Sequence, residues 1–439
     1  MSESWIPAAF FKAALRIGNG RAVVEHNATE SSPTPGEAAE ADSPDAVLAE
    51  VIKSKLDRLL EAEIDVGSFP GAVYAIGNRS GVLSEGALGR SVIKPAKIPT
   101  SLDTMYDVAS LTKPLITGTL IMRMAAEGAF ALADRVSVYL PELATTDKRD
   151  ITFVDLLTHR AGFQAWYPLY AEGIGDTAYL RALVKRPLRY SPGTREIYSC
   201  LNFVLLQLAL ERICKRKIED MASEYIFGPL ELRDSMFNPP PPAKYRIAAT
   251  EWGNSNERRM VAERGLSFPR FRRYMIWGEV DDGNAYYMGG MAGNAGLFAT
   301  ARDVFAIARS YLRNDGTLLP PAMVDLSTRN YTLGLEENRG LGWQLPSSKS
   351  EGPTVMLSEG SFGHTGFTGT SVWCDPSRDL IIVLLTNRLH PSVQLTNMQK
   401  VRRKVHLAVV EEWDRAKQTA STGDRVSGTT PLRGRSRSG

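Results

Sequence analysis

The segment DVASLTKPLI, residues 107–116, sets Ser110 three residues ahead of Lys113. On a helix that spacing puts both side chains on one face. A lysine held beside a serine hydroxyl in a partly buried site has its pKa lowered and can help remove the hydroxyl proton. The chemistry would be attack on an acyl carbon and formation of an acyl-enzyme. A second pair at this spacing, Ser91 and Lys94 in GRSVIKPAK, competes for the role. Pro95 and Pro99 deny Ser91 a following helix, so it reads as a loop serine just after a strand. Ser110 instead precedes LTKPLITGTLIMRMAAEGAF, a buried-helix pattern with Pro114 in the first turn, where proline is tolerated. Unpaired N–H groups and the helix dipole favour developing negative charge at such a start. Locally, Ser110 reads equally well as a plain helix cap.

Partners elsewhere shift that balance. SPGTREIYSCLNFVLLQLALERI turns at Pro192–Gly193 and delivers Tyr198 ahead of an apolar helix. GHTGFTGTSVWCDPSRDLIIVLLTN sets His364, Thr365 and Gly366 at the start of a strand. The ordered set S-x-x-K, Y-S-x and H-T-G resembles the serine β-lactamase and penicillin-binding-protein superfamily. Within it, the resemblance is to class C β-lactamases, D-Ala-D-Ala carboxypeptidases and family VIII carboxylesterases. LLTHRAGF (156–163) and GGMAGNAGLFATARDV (289–304) match as well, and the resemblance covers about residues 47–412.

The resemblance implies roles residue by residue. Ser110 is the acylated nucleophile. Lys113 and Tyr198 form the proton-transfer pair, Tyr198 as a phenolate-like base. Cys200, His364, Thr365, Gly366 and Phe367 face the substrate, and the N–H groups of Ser110 and Phe367 form the oxyanion hole. Such donors are worth roughly 3–4 kcal/mol each in other serine hydrolases. His159 takes a structural position, and Tyr190 reads as a surface turn residue. The glycines of GGMAGNAG read as a tight loop, since no strand–loop–helix context makes them a phosphate cradle.

The chain also departs from the pattern. Cys200 stands where the second motif usually carries Asn or Asp, and a thiol holds a substrate amide only feebly. His364 stands where lysine is usual, and an unpartnered imidazole is mostly neutral at pH 7. Asp281 and Asn294 replace histidines of close relatives. The expected substrate is therefore a small-molecule ester, amide or D-amino-acid peptide, with efficient β-lactam turnover a weaker alternative. A rival of another kind is a weakly active homologue used for binding or assembly; the intact Ser110, Lys113 and Tyr198 argue against it.

These residues need a scaffold. GAVYAIGNRSGVLSEGALG (71–89) reads as two strands around a turn at Asn78–Gly81, after a helix capped by Ser43–Pro44 with Leu48, Ile52, Leu56 and Leu59 on one face. Strand signals return at 340–345, 368–375 and 379–387, and a helix from about 393 to 415 closes the fold. The stretch between, about 110–330, is mostly helical in pattern. The expected class is α/β (α+β): an antiparallel sheet built from both chain ends, flanked by helices, with a helical subdomain beside it. Residues 1–45 read as an N-terminal segment and disordered linker, 46–415 as the hydrolase domain, and 416–439 as a disordered tail.

Bulk properties exclude other classes. Of 439 residues, 43% are hydrophobic and 23% charged, as in an ordinary globular protein. A net charge of +3 lacks the basic excess that nucleic-acid binding demands. Three scattered cysteines, five histidines and no H-E-x-x-H give no disulfide framework and no metal site, and no cofactor is expected. No G-x-S-x-G elbow occurs, which argues against an α/β-hydrolase. The N-terminus has no basic region ahead of its apolar residues, and Lys12 interrupts the run, so neither export signal nor transmembrane segment is expected and the cytoplasm is the expected compartment.

Overall fold

A computed structural model describes residues 43–346, 353–393 and 396–427. Nearly all of the expected N-terminal linker, and the tail beyond Ser427, lie outside these described residues. From Pro44 on, the chain forms one compact unit.

Six strands make one sheet: β1 (Gly71–Gly77), β2 (Val82–Val92), β3 (Ile98–Pro99), β6 (Phe362–Thr365), β7 (Ser371–Asp375) and β8 (Leu380–Thr386), in the order β3-β2-β1-β8-β7-β6. Every pairing is antiparallel, with Ala75 opposite Val383 and Val383 opposite Val372. The two chain ends thus meet at the β1–β8 seam. A two-stranded ribbon, β4 (Tyr106–Asp107) with β5 (Phe298–Ala299), lies outside the sheet and leads into Ser110.

The central strands are buried along their whole length because helices cover both faces. Alternate residues sort to opposite sides, as the pleat requires. Tyr74, Ile76, Trp373, Ile382 and Leu384 pack with Ile52, Leu56 and Leu60 of α1 (Pro44–Asp65). Val73, Ala75, Val372, Cys374, Ile381 and Val383 face the larger core. That core takes in α2 (Thr119–Ala126), α3 (Phe153–Leu157), α4 (Asp176–Lys185), α5 (Cys200–Cys214) and α6 (Ile218–Ala222). Helices α7 (Ser255–Glu263), α8 (Gly283–Tyr287), α9 (Ala301–Arg313) and α10 (Pro321–Ser327) follow, and α11 (Met398–Ser427) returns to α1. Helix α5 is apolar around its circumference and buried from Leu201 to Leu210, as such a helix must be. Among the described residues, no helix is long and apolar enough to cross a membrane.

Several local expectations change. Residues 340–345 form no strand; Gly342 has φ 89°, and only Gln344 bridges to Gly363. Ser91 lies inside β2, not after it, 2% exposed, with its hydroxyl toward the carbonyls of Ile98 and Pro99 at 3.4 Å. His364 and Thr365 end β6 rather than begin a strand. The helix after Ser110 opens as a 3₁₀ turn, widens to a π-helical stretch over Lys113–Gly118, and only then becomes α2; Pro114 has no N–H for a regular ladder. The last helix runs on to Ser427, past the end expected near 415.

Candidate active site

The nucleophile candidate is presented by a backbone outlier. Ala109 has φ 49°, a left-handed conformation costing an L-residue roughly 1–2 kcal/mol. The surroundings hold it there. Asp107 Oδ1 accepts the Ala109 N–H at 2.9 Å, and Thr112 Oγ1 donates to the Ala109 carbonyl at 2.7 Å. The Val108 N–H donates to Leu297 O at 3.0 Å, fixing the turn to the β5 side. Ala109 and Leu111 are buried while Ser110 between them stays half-buried, turned toward the cavities described below.

Lys113 is fully buried and donates from Nζ to Ser110 Oγ and to Asn294 O, each at 2.9 Å. Its ammonium lies 5.1 Å from the Tyr198 ring centre and 5.9 Å from that of Phe203. Burial is the largest influence and lowers its pKa, but the hydrogen bond with Tyr198 and the negative surroundings, Asp282 among them, leave the net shift upward. The lysine is therefore a held cation, which corrects the expectation of a lowered pKa. Tyr198 is raised by burial more than the Lys113 charge lowers it, so at rest it is a neutral phenol. That corrects the phenolate-like state the resemblance implied.

His159 positions the tyrosine. Its ring packs on Tyr198 with centroids 4.5 Å apart. Its Nδ1 accepts the Ser199 N–H at 3.1 Å and faces Asn202 Nδ2 at 3.3 Å, which leaves the proton on Nε2. Its carbonyl accepts the Ile197 N–H and the Tyr190 hydroxyl, at 3.1 and 3.2 Å. Burial and the charges of Arg339 and Lys113 hold it neutral, well below the usual imidazole range. Tyr190 is thus a half-buried brace and not a surface turn residue. Cys200 begins α5 behind the Ser199 cap and donates its N–H to Ala165 O at 3.0 Å. Burial keeps its thiol protonated.

The H-T-G segment is bolted to the nucleophile turn. Thr368 Oγ1 donates to Asp107 O at 2.8 Å and Thr370 Oγ1 to Val108 O at 3.0 Å. A side chain at Gly366 would put its Cβ 2.0 Å from Thr370 Oγ1 and 2.6 Å from Val108 O, so only glycine allows this approach. His364 is 2% exposed, its ring centre 5.9 Å from that of Tyr198. Its Nδ1 donates to Thr365 O at 2.8 Å, and its buried Nε2 has no partner. Burial, Lys113 and Arg339 keep it neutral.

Two cavities meet at Ser110, Tyr198 and Phe367. One, about 220 Å³, is lined by Cys200, Trp166, Met260 and the carboxylates of Asp107, Glu251, Glu257, Asp281 and Asp282. The other, about 370 Å³, is lined by His364, Thr365, Gly366, Gln344, Gln399, one carboxylate, Glu337, and three arginines, Arg339, Arg388 and Arg402. Arg339 pairs with Glu196 at 2.9 Å. Arg388 donates to Phe367 O at 2.7 Å, and Arg402 to Gly366 O and Thr370 O at 3.0 and 2.9 Å. Among the described residues, neither Arg388 nor Arg402 meets a carboxylate. A larger depression of about 640 Å³ shares no residue with the site, and its Arg212 and Lys217 are paired with Glu142, Asp176 and Glu211. No group of three or more His, Cys, Asp or Glu among the described residues could hold a metal.

All eight site residues named from the motifs line one of these cavities or touch a residue that does. Sequence reasoning missed the charged walls. Asp107 abuts the first motif, and Asp281 was visible only as a departure; the arginines carried no motif signal.

Comparison with known proteins agrees with this geometry. The β-lactamase family model matches residues 56–406. A curated Escherichia coli (strain K12) protein named "Putative D-alanyl-D-alanine carboxypeptidase" is 31% identical over 77% of this chain and 83% of its own length. A Bacillus subtilis (strain 168) protein named "N-acetylmuramyl-L-alanine amidase" is also 31% identical, over 77% of this chain and 81% of its own. Among solved structures, EstCE1, a hydrolase with promiscuous acyltransferase activity, has TM-score 0.65 at 20% identity, over 83% of this chain and 100% of its own. A class C β-lactamase mutant has TM-score 0.63 at 17% identity, over 83% and 98%. With the motifs in order and the fold and family model in agreement, the chain belongs to the β-lactamase family of serine hydrolases.

Proposed function

We propose that the enzyme cleaves the amide bond of a small D-amino-acid-type peptide with a free carboxylate, through an acyl-enzyme on Ser110. The observation that carries this reading is the pair of arginines without carboxylate partners, Arg388 and Arg402, beside the H-T-G segment. Guanidinium groups recognise carboxylates strongly. The names of the curated relatives, a carboxypeptidase and an amidase, support the same bond type.

The steps follow from the geometry. Attack runs through the fraction of enzyme in which Tyr198 has lost its proton, a fraction that the Lys113 cation enlarges. Tyr198 takes the Ser110 proton as Oγ attacks, with Lys113 holding Oγ in place. The N–H groups of Ser110 and Phe367 receive the developing oxyanion. Tyr198 returns the proton to the leaving nitrogen, and water then hydrolyses the ester. His364, being neutral, supplies no fixed charge, so carboxylate binding falls to the arginines. The Lys113–Ser110 contact at 2.9 Å speaks against a purely binding or assembly role.

A second reading, preference for esters, is favoured by Cys200, whose neutral thiol is a weak partner for a substrate amide. The test compares kcat/KM for D-Ala-D-Ala and for its C-terminal amide, alongside mass spectrometry of fluorophosphonate-labelled peptides. The carboxylate form should lead by about tenfold or more, the value of one charged hydrogen bond. Equal rates would overturn the carboxylate reading, and an unlabelled Ser110 would overturn the mechanism.

A further inference from the structure

We propose that the cavity on the Asp281 side of Ser110 binds a cationic nitrogen, making the substrate a small zwitterion with its ammonium on one side of the scissile bond and its carboxylate on the other. The inference rests on Ser110 being the acylated residue.

Four of the five carboxylates in this wall already have donors within the protein. Asp107 accepts the N–H groups of Ala109 and Asp281, at 2.9 and 2.8 Å. Glu251 accepts the N–H and hydroxyl of Ser255, at 2.8 and 2.5 Å. Glu257 accepts the Tyr170 hydroxyl at 2.9 Å and the Gly283 N–H at 2.8 Å. Asp282 caps α8 through the Ala285 N–H at 2.8 Å and accepts from Asn294 Nδ2 at 3.2 Å.

Asp281 differs. It is 6% exposed, it lines the cavity, and its Oδ1 is buried with no partner. Its backbone is fixed at both ends. The N–H goes to Asp107, and the carbonyl accepts from Asn254 Nδ2 at 2.8 Å and Arg272 at 2.6 Å. The residue is therefore held at the cavity wall, and a buried oxygen without a donor there forfeits its hydration.

A guanidinium behind this wall, Arg272, pulls the pKa values of Asp107, Glu251, Glu257 and Asp281 down without outweighing burial, and its hydrogen bonds go to none of their carboxylate oxygens. Its donors go to Asn254 Oδ1 at 2.9 Å and to the carbonyls of Val280 and Asp281, each at 2.6 Å. Asp107, Glu251, Glu257 and Asp281 all have raised pKa values, from burial first and, for all but Glu251, also from neighbouring carboxylates; Glu257 reaches about 8 and Asp107 about 6. A cation entering the cavity would relieve that repulsion. The volume, about 220 Å³, falls below the roughly 300–1,000 Å³ of ordinary ligand pockets, so the group it takes is small. A bound metal ion fits less well, since no three of these oxygens converge among the described residues.

The experiment uses two nitrophenyl esters of one shape, of D-alanine and of isobutyric acid, which exchange an ammonium for a methyl. It also uses D-Ala-D-Ala with and without an N-acetyl group. Wild type should prefer the charged ester by about 10- to 100-fold in kcat/KM, the range of a charge-assisted contact. Asp281→Asn should bring that ratio within about threefold of one. Glu251→Gln, which removes a different charge from the same wall, should lower it in the same direction, and melting curves show whether each variant is folded. Equal or faster turnover of the isobutyryl ester, or a ratio unmoved in both folded variants, overturns the proposal. Charged-ester preference with neither dipeptide cleaved would sink the peptide reading while sustaining this one. Should neither ester turn over, calorimetry of D-alaninamide on Ser110→Ala against Ser110→Ala/Asp281→Asn decides: binding lost only in the latter supports the cation pocket, and no binding to either refutes it.

Discussion

Replacing Tyr198 by phenylalanine separates a proton carrier from a packing residue. The ring stays, and with it the stacking on His159 at 4.5 Å and the neighbour His364 at 5.9 Å. Only the hydroxyl beside Lys113 is lost. If that hydroxyl merely made a hydrogen bond, its removal would cost about 1 kcal/mol, roughly fivefold in rate. If it carries the proton between Ser110 and the leaving group, the loss is about 10²- to 10⁴-fold, or about 2.7–5.4 kcal/mol at 1.36 kcal/mol per decade. The two readings do not overlap. The pH profile adds an independent sign. Burial sets the Tyr198 pKa above its ordinary value of 10.0, so the reactive deprotonated fraction is under about 10⁻³ at pH 7. Wild-type kcat/KM should climb about tenfold per pH unit from 7 to 9, and the Phe variant should lose that climb. The assay is nitrophenyl ester hydrolysis between pH 6 and 10, corrected for the uncatalysed rate, with melting temperatures for both proteins. A variant within fivefold of wild type, or a wild-type profile flat from pH 7 to 9, would refute the reasoning.

Three further outcomes are expected. Ser110→Ala should abolish fluorophosphonate labelling while Ser91→Ala leaves it intact, because Ser91 is locked inside β2 at 2% exposure; peptide mass spectrometry decides. Cys200→Asn should restore a carboxamide to the site and raise the kcat/KM ratio of a cephalosporin over an ester by about fivefold, the worth of one neutral hydrogen bond; an unchanged ratio means other residues recognise the amide. His364 is held neutral well below 6.5, so the unfolded chain takes up its proton first as pH falls, and stability is lost downward from about pH 6.5. His364→Gln should reduce the acid-side slope of unfolding free energy by up to about 1.4 kcal/mol per pH unit, measured by urea titration at pH 5.5 and 6.5; identical slopes would show that the imidazole titrates normally.

The sheet was legible because its information is local. Short apolar runs in GAVYAIG, SVWCD and LIIVLLT, bounded by turn residues, give buried strands wherever they pair, and the turn at Asn78–Gly81 closes one hairpin. The motif residues were legible as types in order. What the sequence did not carry was backbone detail fixed by distant contacts. The left-handed Ala109 depends on Asp107, Thr112 and the ribbon with Phe298–Ala299. Residues 340–345 look like a strand in composition, but Gly342 turns the chain out of register and only Gln344 reaches the sheet. The protonation states were hidden for a related reason. Desolvation alone argued for a lowered Lys113, and the placement of Tyr198 and Asp282 around it helps to reverse the sign.

The same point explains how this chain departs from its motifs without losing its chemistry. Substituting His364 for lysine removes a charge from β6, and burial ensures that the histidine does not replace it. Positive charge returns from Arg388, just after β8, and Arg402 on α11, which reach the H-T-G turn through its carbonyls. Negative charge gathers opposite, from the residue before the nucleophile turn, from α7 and its approach, and from Asp281–Asp282 ahead of α8. Neither wall lies within a motif, yet both open on Ser110. The motifs therefore fix what bond-breaking chemistry is available, while the sequence-distant charges fix which molecule is held for it. A substrate neutral at both ends would leave the Asp281 oxygen unpaired and two guanidinium groups bonded only to neutral carbonyls at the moment of attack, so selection between charged and neutral substrates should be carried in kcat/KM and not in the motif residues at all.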